Sequence, residues 1–233
     1  MIPWERLDKA ALADGGELRL FRRGGEFSIR LADGNELMNS RLSGSEEELA
    51  RLALAATAGQ APRVLIGGLG MGFTLRAALG LAGPDARITV AELVPAVIAW
   101  ARGPLAPVFA GSLDDPRVTI REGDAGALIR ANRAAFDAIL LDTDNGPDGL
   151  TIPANDALYG FEGLAAARAA LAPGGALAVW SSRPDPRFTA RLNQSGFAME
   201  EHRVRAGRGS GAKHVVWVAR KSAERTRAPS RRR

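Results

Sequence analysis

Residues 64–74 read VLIGGLGMGFT, three aliphatic residues that run into a glycine cluster before a helical pattern begins at Thr74. This order is typical of a buried parallel strand, a tight turn and the N-terminus of a helix. Glycine adopts backbone angles that other residues avoid and lets a ligand approach the main chain. The helix start adds free N–H groups and the positive end of a dipole. The stretch therefore predicts a site for a nucleotide-like cofactor, provided that acidic residues follow at the ends of the next strands.

Short aliphatic strands, bounded by Gly, Pro or Asp, alternate with helices over most of the chain. This alternation predicts an α/β fold with a doubly wound, mostly parallel sheet that helices cover on both faces. Two late strands, near residues 197–205 and 213–219, would add an antiparallel hairpin, which favours the seven-stranded methyltransferase variant of this sheet. We place the other strands near residues 63–67, 87–91, 117–121, 136–142 and 175–181, and helices near 73–82, 94–102, 124–134, 156–171 and 186–195.

The N-terminal part predicts a small β cap in front of this sheet. Residues 17–31 alternate apolar and polar side chains around a glycine pair, as a hairpin does, and a short strand is expected near residues 36–38. Ser45 and Glu48 fit the capping box of a helix that runs to about Ala58. We therefore divide the chain into a small N-terminal β segment (1–44), a Rossmann-like cofactor-binding domain (45–220) and a basic tail (221–233).

The composition excludes several classes of site. The 233 residues contain no cysteine, which excludes disulfides, thiolate catalysis and cysteine metal sites. The two histidines, His202 and His214, are too few for a histidine-rich metal centre, so we expect no metal. No apolar run approaches the roughly 20 residues of a membrane span, and the first residues lack the apolar stretch of a signal peptide. We therefore expect a cytoplasmic protein without a membrane contact.

The net charge of +5 is concentrated at the C-terminus. Residues 220–233 hold seven Arg or Lys side chains and one acid, Glu224, so the rest of the chain is close to neutral. A segment of Arg, Ser, Ala and Pro is typical of disorder. A contact with nucleic acid through this tail is one interpretation. We favour a solvated, solubilising tail, and we expect no other contact with nucleic acid.

Acidic residues follow the next two strands, as a cofactor site requires. Open parallel sheets bind ligands at the carboxyl ends of their strands. Glu92 follows the second strand, about 20 residues after the glycine loop, where a carboxylate can accept both hydroxyls of a ribose. Asp124 follows the third strand and can cap the next helix, accept a hydrogen bond from an adenine amino group, or do both. We take Asp124 and its neighbour Ala125 as cofactor-binding candidates together with Glu92.

The fourth strand runs into DTDNGP, residues 142–147. Two carboxylates and an amide, from Asp142, Asp144 and Asn145, therefore gather at the mouth of the predicted cleft. Such a cluster can hold a cationic amine or take a proton from a nucleophile. The alternative is an Asp/Asn/Gly/Pro turn without any other role. Asp142 follows four apolar residues, so we expect a partly desolvated carboxylate and choose it as the catalytic candidate, with Asp144 as the second.

Together these landmarks resemble the spermidine synthase family, which is built on the class I fold of S-adenosylmethionine-dependent methyltransferases. The resemblance covers about residues 26–181 and also includes the small β cap. Its main landmarks are the glycine loop, Glu92, the Gly123-Asp124 step and the Asp142 turn. Three further motifs belong to it: Asp115-Pro116-Arg117-Val118, Leu158-Tyr159 and Ala172-Pro173-Gly174-Gly175.

The resemblance implies roles for the residues of the cofactor site. The co-substrate would be S-adenosylmethionine or decarboxylated S-adenosylmethionine. The loop residues Gly68, Gly70, Met71 and Gly72 would line its methionine side, Glu92 would hold its ribose, and Asp124 would face its adenine. Met71 stands where the family carries an aspartate that helps to bind the amine of the decarboxylated form.

The resemblance also implies roles at the acceptor. Asp142 matches the family's aspartate that assists deprotonation of the attacking amine. Asn145 stands at the second aspartate of that turn, unless Asp144 substitutes from the adjacent position. Asn145 and Tyr159, the single tyrosine of the chain, are the substrate-binding candidates. The acceptor is expected to be a small molecule such as an amine, and a homodimer is expected by resemblance only.

Several functions remain open at this point. A group transferase is favoured, because the sulfonium carries its own activation and the protein need only bind, align and deprotonate the acceptor. Asp142 favours aminopropyl transfer, whereas Met71 and Asn145 favour methyl transfer. A catalytically lapsed adenosyl-binding module is one alternative. An NAD-dependent oxidoreductase is another, since the loop and Glu92 would also serve NAD, although the sequence shows no Tyr-x-x-x-Lys pair.

Overall fold

A computed structural model describes residues 2–12, 15–57, 59, 61–143, 146–147, 157–207 and 211–223. The strands of the described ranges form two sheets. The first is antiparallel and contains β1 (Glu5–Ala11), β2 (Glu17–Arg23), β3 (Glu26–Leu31) and β4 (Glu36–Asn39), paired in that order. The second contains β5 (Arg63–Gly67), β6 (Arg87–Glu92), β7 (Val118–Glu122), β8 (Phe136–Leu141), β9 (Leu171–Ser181), β10 (Ala198–Arg205) and β11 (Lys213–Arg220).

Helices cover the second sheet on both faces. Side chains of β5 alternate between two hydrophobic clusters: Val64 and Ile66 face one, and Leu65 faces the other. All three are fully buried, as expected for a central parallel strand. The helices are α1 (Gly44–Ala55), α2 (Phe73–Leu81), α3 (Pro95–Arg102), α4 (Ala106–Phe109), α5 (Ala125–Arg130), α6 (Phe161–Ala170) and α7 (Pro186–Gln194), with a 3-10 turn at Ser112–Asp114.

The strand order confirms the predicted fold. The seven-stranded sheet runs β10-β11-β9-β8-β5-β6-β7, and its strands β5 to β9 are parallel. Strand β11 is antiparallel to both β9 and β10, which makes the expected C-terminal hairpin. The order reverses between β5 and β8, because β6 and β7 extend the sheet on one side of β5 while β8 and β9 extend it on the other. Ligands of doubly wound sheets bind at such a switch point, beyond the carboxyl ends of the strands.

The predicted capping box at Ser45 and Glu48 is wrong. Helix α1 has Ser43 as its N-cap residue and ends at Ala55, earlier than predicted. Its start is held from outside, because the Gly44 N–H donates to the carbonyl of Ala206 at 2.8 Å. Ser45 therefore lies inside the helix and is fully buried. The capping pattern was present in the sequence, but a tertiary contact decides where the helix begins.

Helix α5 is shorter than predicted. It ends at Arg130, because the Asn132 side chain donates to the carbonyl of Leu128 at 2.7 Å and Ala134 has a left-handed φ of 47°. A side chain that bonds a helical carbonyl in this way competes with continuation of the helix.

Within the described ranges, no helix is long and apolar enough to cross a membrane. The same ranges contain no group of three or more His, Cys, Asp and Glu side chains that could hold a metal ion. The proposed division at residues 44 and 220 stays a prediction, and most of the basic tail lies outside the part of the chain that the structure describes.

Candidate active site

Gly68 lets the glycine loop and the end of β8 meet at the switch point. Its φ is +94°, and a Cβ atom on it would overlap the carbonyl oxygen of Asp142. Its N–H donates to the carbonyl of Ala91 at 2.9 Å, which continues the pairing of β5 with β6. A larger residue would be strained in its backbone and would push the two strand ends apart. Gly68 therefore has a steric role that does not depend on a ligand.

Gly72 is the N-cap residue of α2, with a φ of +76°. A Cβ atom on Gly72 would overlap the ring of Phe109, which is almost fully buried. No side chain caps the helix at this position. The glycine thus allows α2 to begin directly beside the loop and keeps its first turn close to the cleft.

Glu92 joins the glycine loop to the end of β6. One carboxylate oxygen accepts the N–H of Leu69 at 2.9 Å, and the other accepts the N–H of Val94 at 2.8 Å. The side chain is 7% exposed and lines the cavity described below. A carboxylate can accept several hydrogen bonds, so these contacts are compatible with contact to a ligand. The carboxylate shapes the loop and can also receive ribose hydroxyls.

Asp124 caps helix α5. Its carboxylate accepts the N–H groups of Gly126 at 2.8 Å and Ala127 at 2.9 Å, and it pairs with Arg130 at 3.1 Å. The capping role that the sequence indicated is therefore present in the structure. Asp124 and Ala125 also line the same cavity as Glu92, so contact with a ligand is compatible with the cap.

Asp142 stands at the end of β8, against the first turn of α2. The Thr74 hydroxyl donates to its Oδ2 at 2.6 Å, and Thr74 is 3% exposed. Burial raises the pKa of Asp142 to about 6, and the Thr74 hydrogen bond opposes that rise because it favours the charged form. A carboxylate of this kind is ionised near neutral pH and is still basic enough to accept a proton.

Two cavities meet at Asp142. Of the predicted cofactor residues, the first cavity is lined by Gly68, Gly70, Glu92, Asp124 and Ala125. The second cavity lies beside the glycine loop and is lined by Gly70, Met71 and Gly72. Both are also lined by Leu37 and Met38 of β4 and by Gly70, so the N-terminal sheet covers them. Around the first cavity lie Gly68, Glu92, Leu93, Val94, Asp124, Ala125 and Thr143; around the second lie Asn39, Glu46, Leu69, Met71, Gly72, Phe73 and Trp180.

Sequence reasoning missed Glu46 and left Trp180 without a role. Glu46 belongs to the first turn of α1 and lines the second cavity together with Asp142. Burial and the nearby charge of Asp142 raise the pKa of Glu46 to about 7. The acidic run around Glu46 was visible in the sequence, but a helix start explained it equally well. Only the packing of α1 beside β8 brings the two carboxylates to one cavity.

The remaining predicted site residues do not lie together in one cavity of the described structure. Met71 is 4% exposed and forms part of the second cavity. Tyr159 is 2% exposed, lies outside both lining sets and shares a hydrogen bond of 2.7 Å with the hydroxyl of Thr143. Its contact with a substrate stays a prediction. Asp144 and Asn145 lie outside the residues that the structure describes, so their roles stay predictions as well.

No model of a protein family matches the chain. A polyamine aminopropyltransferase of Mycobacterium tuberculosis is 33% identical over 197 residues, which is 81% of this chain and 36% of the relative. Putrescine N-methyltransferase 1 of Nicotiana tabacum is 37% identical over 114 residues, which is 48% of this chain and 28% of the relative. The chain thus spans about a third of the length of these curated relatives.

A solved spermidine synthase of Thermotoga maritima has the same fold. Its TM-score is 0.73 with 20% sequence identity, and the match covers 94% of this chain and 73% of that one. At this identity the likeness shows the fold alone. In this chain the glycine loop, Glu92 and Asp142 lie at the carboxyl ends of β5, β6 and β8.

Proposed function

We infer that this chain is a spermidine synthase-like transferase, which moves an alkyl group from an adenosyl sulfonium to a small amine. The co-substrate would be S-adenosylmethionine or its decarboxylated form. The observation that carries this proposal is the position of Asp142, where a carboxylate with a raised pKa lines both a nucleoside-sized cleft and an acidic cavity.

The first cavity suits an adenosine. Glu92 lines this cavity at the end of β6, where its carboxylate can accept ribose hydroxyls, and Asp124 lines it after β7, where it can accept from an adenine amino group. Apolar side chains of Leu93, Val94 and Val97 provide a wall for the base. These contacts support a nucleoside site in the cleft at the switch point.

The chemistry that we propose needs no metal and no covalent enzyme intermediate. The neutral nitrogen of the acceptor forms a bond to the carbon next to the sulfonium sulfur, the carbon–sulfur bond breaks, and the sulfur leaves as a neutral thioether. The proton lost by the amine passes to the carboxylate of Asp142. Alignment in the closed cleft and this proton transfer are the contributions of the protein.

Aminopropyl transfer is the reaction that we favour. A relative that matches 81% of this chain is named a polyamine aminopropyltransferase, and the second cavity has two carboxylates that suit amines. Methyl transfer is the second candidate, because another relative is named a putrescine N-methyltransferase and Met71 leaves the loop uncharged.

The test is to incubate the chain with putrescine and either co-substrate and to identify the products by mass spectrometry. Aminopropyl transfer releases methylthioadenosine, and methyl transfer releases S-adenosylhomocysteine. We expect Asp142→Asn to lower kcat by about 100-fold or more, the usual range for a general base. The affinity for methylthioadenosine should stay unchanged. Asp114→Asn, at an exposed carboxylate, is the control. No product and no nucleoside binding would contradict the proposal, whereas nucleoside binding without product would favour the lapsed binding module.

A further inference from the structure

We propose that Tyr159 is a positioning residue, whose hydroxyl holds the Asp142-Thr143 step in the orientation that aims Asp142 at the reacting amine, without touching a ligand itself. The inference rests on the proposed function and deepens it, because it assigns an alignment role at the same site to a residue behind the cavity wall. The family resemblance implies a direct contact of Tyr159 with the substrate, whereas the geometry favours an indirect one.

The Tyr159 hydroxyl reaches the active site from behind the wall of the first cavity. Tyr159 is 2% exposed and lines neither cavity, whereas Thr143 lines the first and Asp142 lines both. The hydroxyls of Tyr159 and Thr143 share a hydrogen bond of 2.7 Å, and Thr143 directly follows Asp142 in the chain. A change at the Tyr159 hydroxyl therefore reaches the carboxylate of Asp142 through a single intervening residue.

The main chain of this step is confined on the side of the glycine loop. The Asp142 N–H donates to the carbonyl of Gly67 at 2.9 Å. A Cβ atom on Gly68 would overlap the carbonyl oxygen of Asp142, and a Cβ atom on Gly67 would lie 3.6 Å from Cγ2 of Thr143. The hydrogen bond with Tyr159 restricts a remaining freedom of Thr143, which is rotation about its χ1 angle.

Two hydroxyl contacts hold the step from opposite faces of the seven-stranded sheet. The Thr74 hydroxyl donates to Oδ2 of Asp142 at 2.6 Å, and Tyr159 bonds Thr143. Leu75, next to Thr74, belongs to one hydrophobic cluster, and Tyr159 belongs to the other. Successive side chains of an extended segment point to opposite faces, so each face supplies one contact. The Thr74 contact acts on the charge of the carboxylate, and the Tyr159 contact acts on its orientation.

The ring of Tyr159 is held in place by aromatic packing. It stands edge-on to Phe188, with 5.7 Å between the ring centroids, and Phe188 stands edge-on to Trp217 at 5.0 Å. Nη1 of Arg191 donates to the carbonyl of Tyr159 at 3.1 Å. A hydroxyl on a ring that is fixed in this way is pre-organised, so it restrains Thr143 before any ligand binds.

Alignment is the contribution that this arrangement makes to group transfer. The acceptor nitrogen must lie in line with the carbon–sulfur bond while Asp142 meets the proton of the amine, and a misplacement of about 1 Å can cost about 100-fold in rate. The residues that we assign to the nucleoside belong to other strand ends, since Glu92 ends β6 and Asp124 follows β7. Loss of the Tyr159 hydroxyl should therefore slow transfer more than it weakens nucleoside binding.

The first test compares the wild-type protein with Tyr159→Phe, which keeps the ring and removes the hydroxyl. Steady-state kinetics with putrescine and the reactive co-substrate give kcat and KM, and calorimetry gives the affinity for methylthioadenosine. We expect Tyr159→Phe to lower kcat by about tenfold through a partial loss of alignment. The KM for putrescine and the affinity for methylthioadenosine should stay within about twofold of the wild-type values, as for an independent site.

Thr189→Val is the matched control for this variant. Thr189 lies on α7, lines neither cavity and accepts the indole N–H of Trp217 at 3.0 Å in the same aromatic packing. The control therefore removes a hydroxyl from this packing without touching the Asp142-Thr143 step. Thr189→Val should keep the wild-type kcat, KM and affinity for methylthioadenosine.

A double-mutant cycle tests whether the two hydroxyls act as a pair. Thr143→Val removes the other partner of the hydrogen bond, and the double variant combines it with Tyr159→Phe. If the bond is the source of the effect, the double variant should have about the same kcat as Thr143→Val alone. Losses that multiply would show that the Tyr159 hydroxyl acts independently of Thr143, which would overturn the proposal.

The pH profile separates orientation from burial. Burial raises the pKa of Asp142, and Thr74 of α2 and Glu46 of α1 are the polar groups that meet it from the neighbouring helices. All of these remain in Tyr159→Phe, so the plateau of kcat/KM should fall while the acid limb keeps its pH. A merely structural role would open the site to water, lower this pKa towards its usual value and shift the acid limb to lower pH.

Amide hydrogen exchange gives a readout that requires no turnover. The Asp142 N–H, which is bonded to the Gly67 carbonyl, should exchange about tenfold faster in Tyr159→Phe, as for the loss of one hydrogen bond that restrains the step. The change should be confined to this step, because local opening is distinct from global unfolding. Thr189→Val should leave the exchange of this amide at the wild-type rate.

The outcomes distinguish this inference from the transferase proposal. Wild-type kcat and wild-type exchange in Tyr159→Phe would overturn the positioning role and leave the transferase proposal standing. A higher KM for putrescine at unchanged kcat would show a direct substrate contact and would also overturn it. If the wild-type protein binds nucleoside without turnover, the exchange rate alone supports or overturns the role. If it binds no nucleoside and forms no product, the transferase proposal fails, and the alignment role fails with it.

Discussion

The hydroxyl of Thr74 donates to Oδ2 of Asp142 at 2.6 Å, which joins the first turn of α2 to the end of β8. The contact spans the switch point of the sheet, where β5 and β8 diverge towards their helices. It also favours the charged form of Asp142 against the burial that raises the pKa of this carboxyl group. One hydroxyl therefore tunes the basicity of the residue to which we assign proton transfer.

Replacement of Thr74 by valine should move the pH profile. Without the hydrogen bond the charged form of Asp142 loses support, so its pKa should rise above the value of about 6 in the wild-type protein. Transfer needs the ionised carboxylate, so the acid limb of kcat/KM should shift to higher pH while the plateau is kept. A matched change, Thr119→Val on the exposed side of β7, should leave the profile where it is. An unshifted limb in Thr74→Val would show that Asp142 is not the titrating group.

Replacement of Glu92 by alanine should weaken adenosyl binding and stability together. The N–H groups of Leu69 and Val94 would lose their acceptor, at a cost of about 1–3 kcal/mol for each group left unpaired. We expect the affinity for methylthioadenosine to fall by about tenfold or more, because the site loses a charged acceptor. The melting temperature of the variant should also be lower. Calorimetry and thermal unfolding measure the two effects.

Glu122 is the natural control for that experiment, because it pairs with Glu92 in the register of β6 and β7 but is exposed. Glu122→Ala should change neither the affinity nor the melting temperature by a comparable amount. If the Glu92→Ala variant bound methylthioadenosine with wild-type affinity, Glu92 would not be part of the nucleoside site.

Replacement of Gly68 by alanine should destabilise the protein more than the same change at Gly34. Both glycines have a left-handed φ, +94° at Gly68 and +92° at Gly34, so both variants bear a backbone cost of about 1–2 kcal/mol. Only Gly68 has a neighbour that a Cβ atom would overlap, the carbonyl oxygen of Asp142; space around Gly34 is open. Urea unfolding should therefore give the lower free energy of unfolding for Gly68→Ala. Equal losses would mean that the two strand ends can separate without cost.

The parallel part of the fold was predictable because its signals are local. Strands β5, β6 and β8 are short aliphatic runs, Glu92 is the last residue of β6, and Asp142 directly follows β8. In a doubly wound sheet such runs form parallel strands, and the ligand site lies beyond the carboxyl ends of these strands. The sheet order and the positions of both residues at the cleft agree with that expectation.

Strand β1 could not be predicted in the same way. Its sequence, ERLDKAA, has no clear alternation, and most of its residues are exposed. Pairing with β2 and a hydrogen bond of 2.6 Å from the Trp100 indole to Asp8 hold it in place. Both interactions are tertiary, so no sequence pattern within the strand predicts them.

Glu46 was not predicted to be a site residue for a related reason. Its local sequence, SEEE, satisfies the rules for a helix start without any help from a ligand. The cavity that Glu46 lines depends on how α1 packs beside β8 and β9, and that packing joins residues far apart in the chain. Asp144 and Asn145 remain predictions from the sequence alone.

Strand β4 has four residues and pairs with β3 alone, yet its Leu37 and Met38 border both cavities. One wall of the two cavities is therefore formed by an edge strand of the N-terminal sheet, and another wall is formed by the ends of the buried parallel strands. Under the function that we propose, changes in β4 would alter the shape offered to an acceptor and leave intact the strand ends at which we place the sulfonium. Selection for new acceptors, in nature or in the laboratory, can therefore proceed through two side chains without rebuilding the catalytic framework.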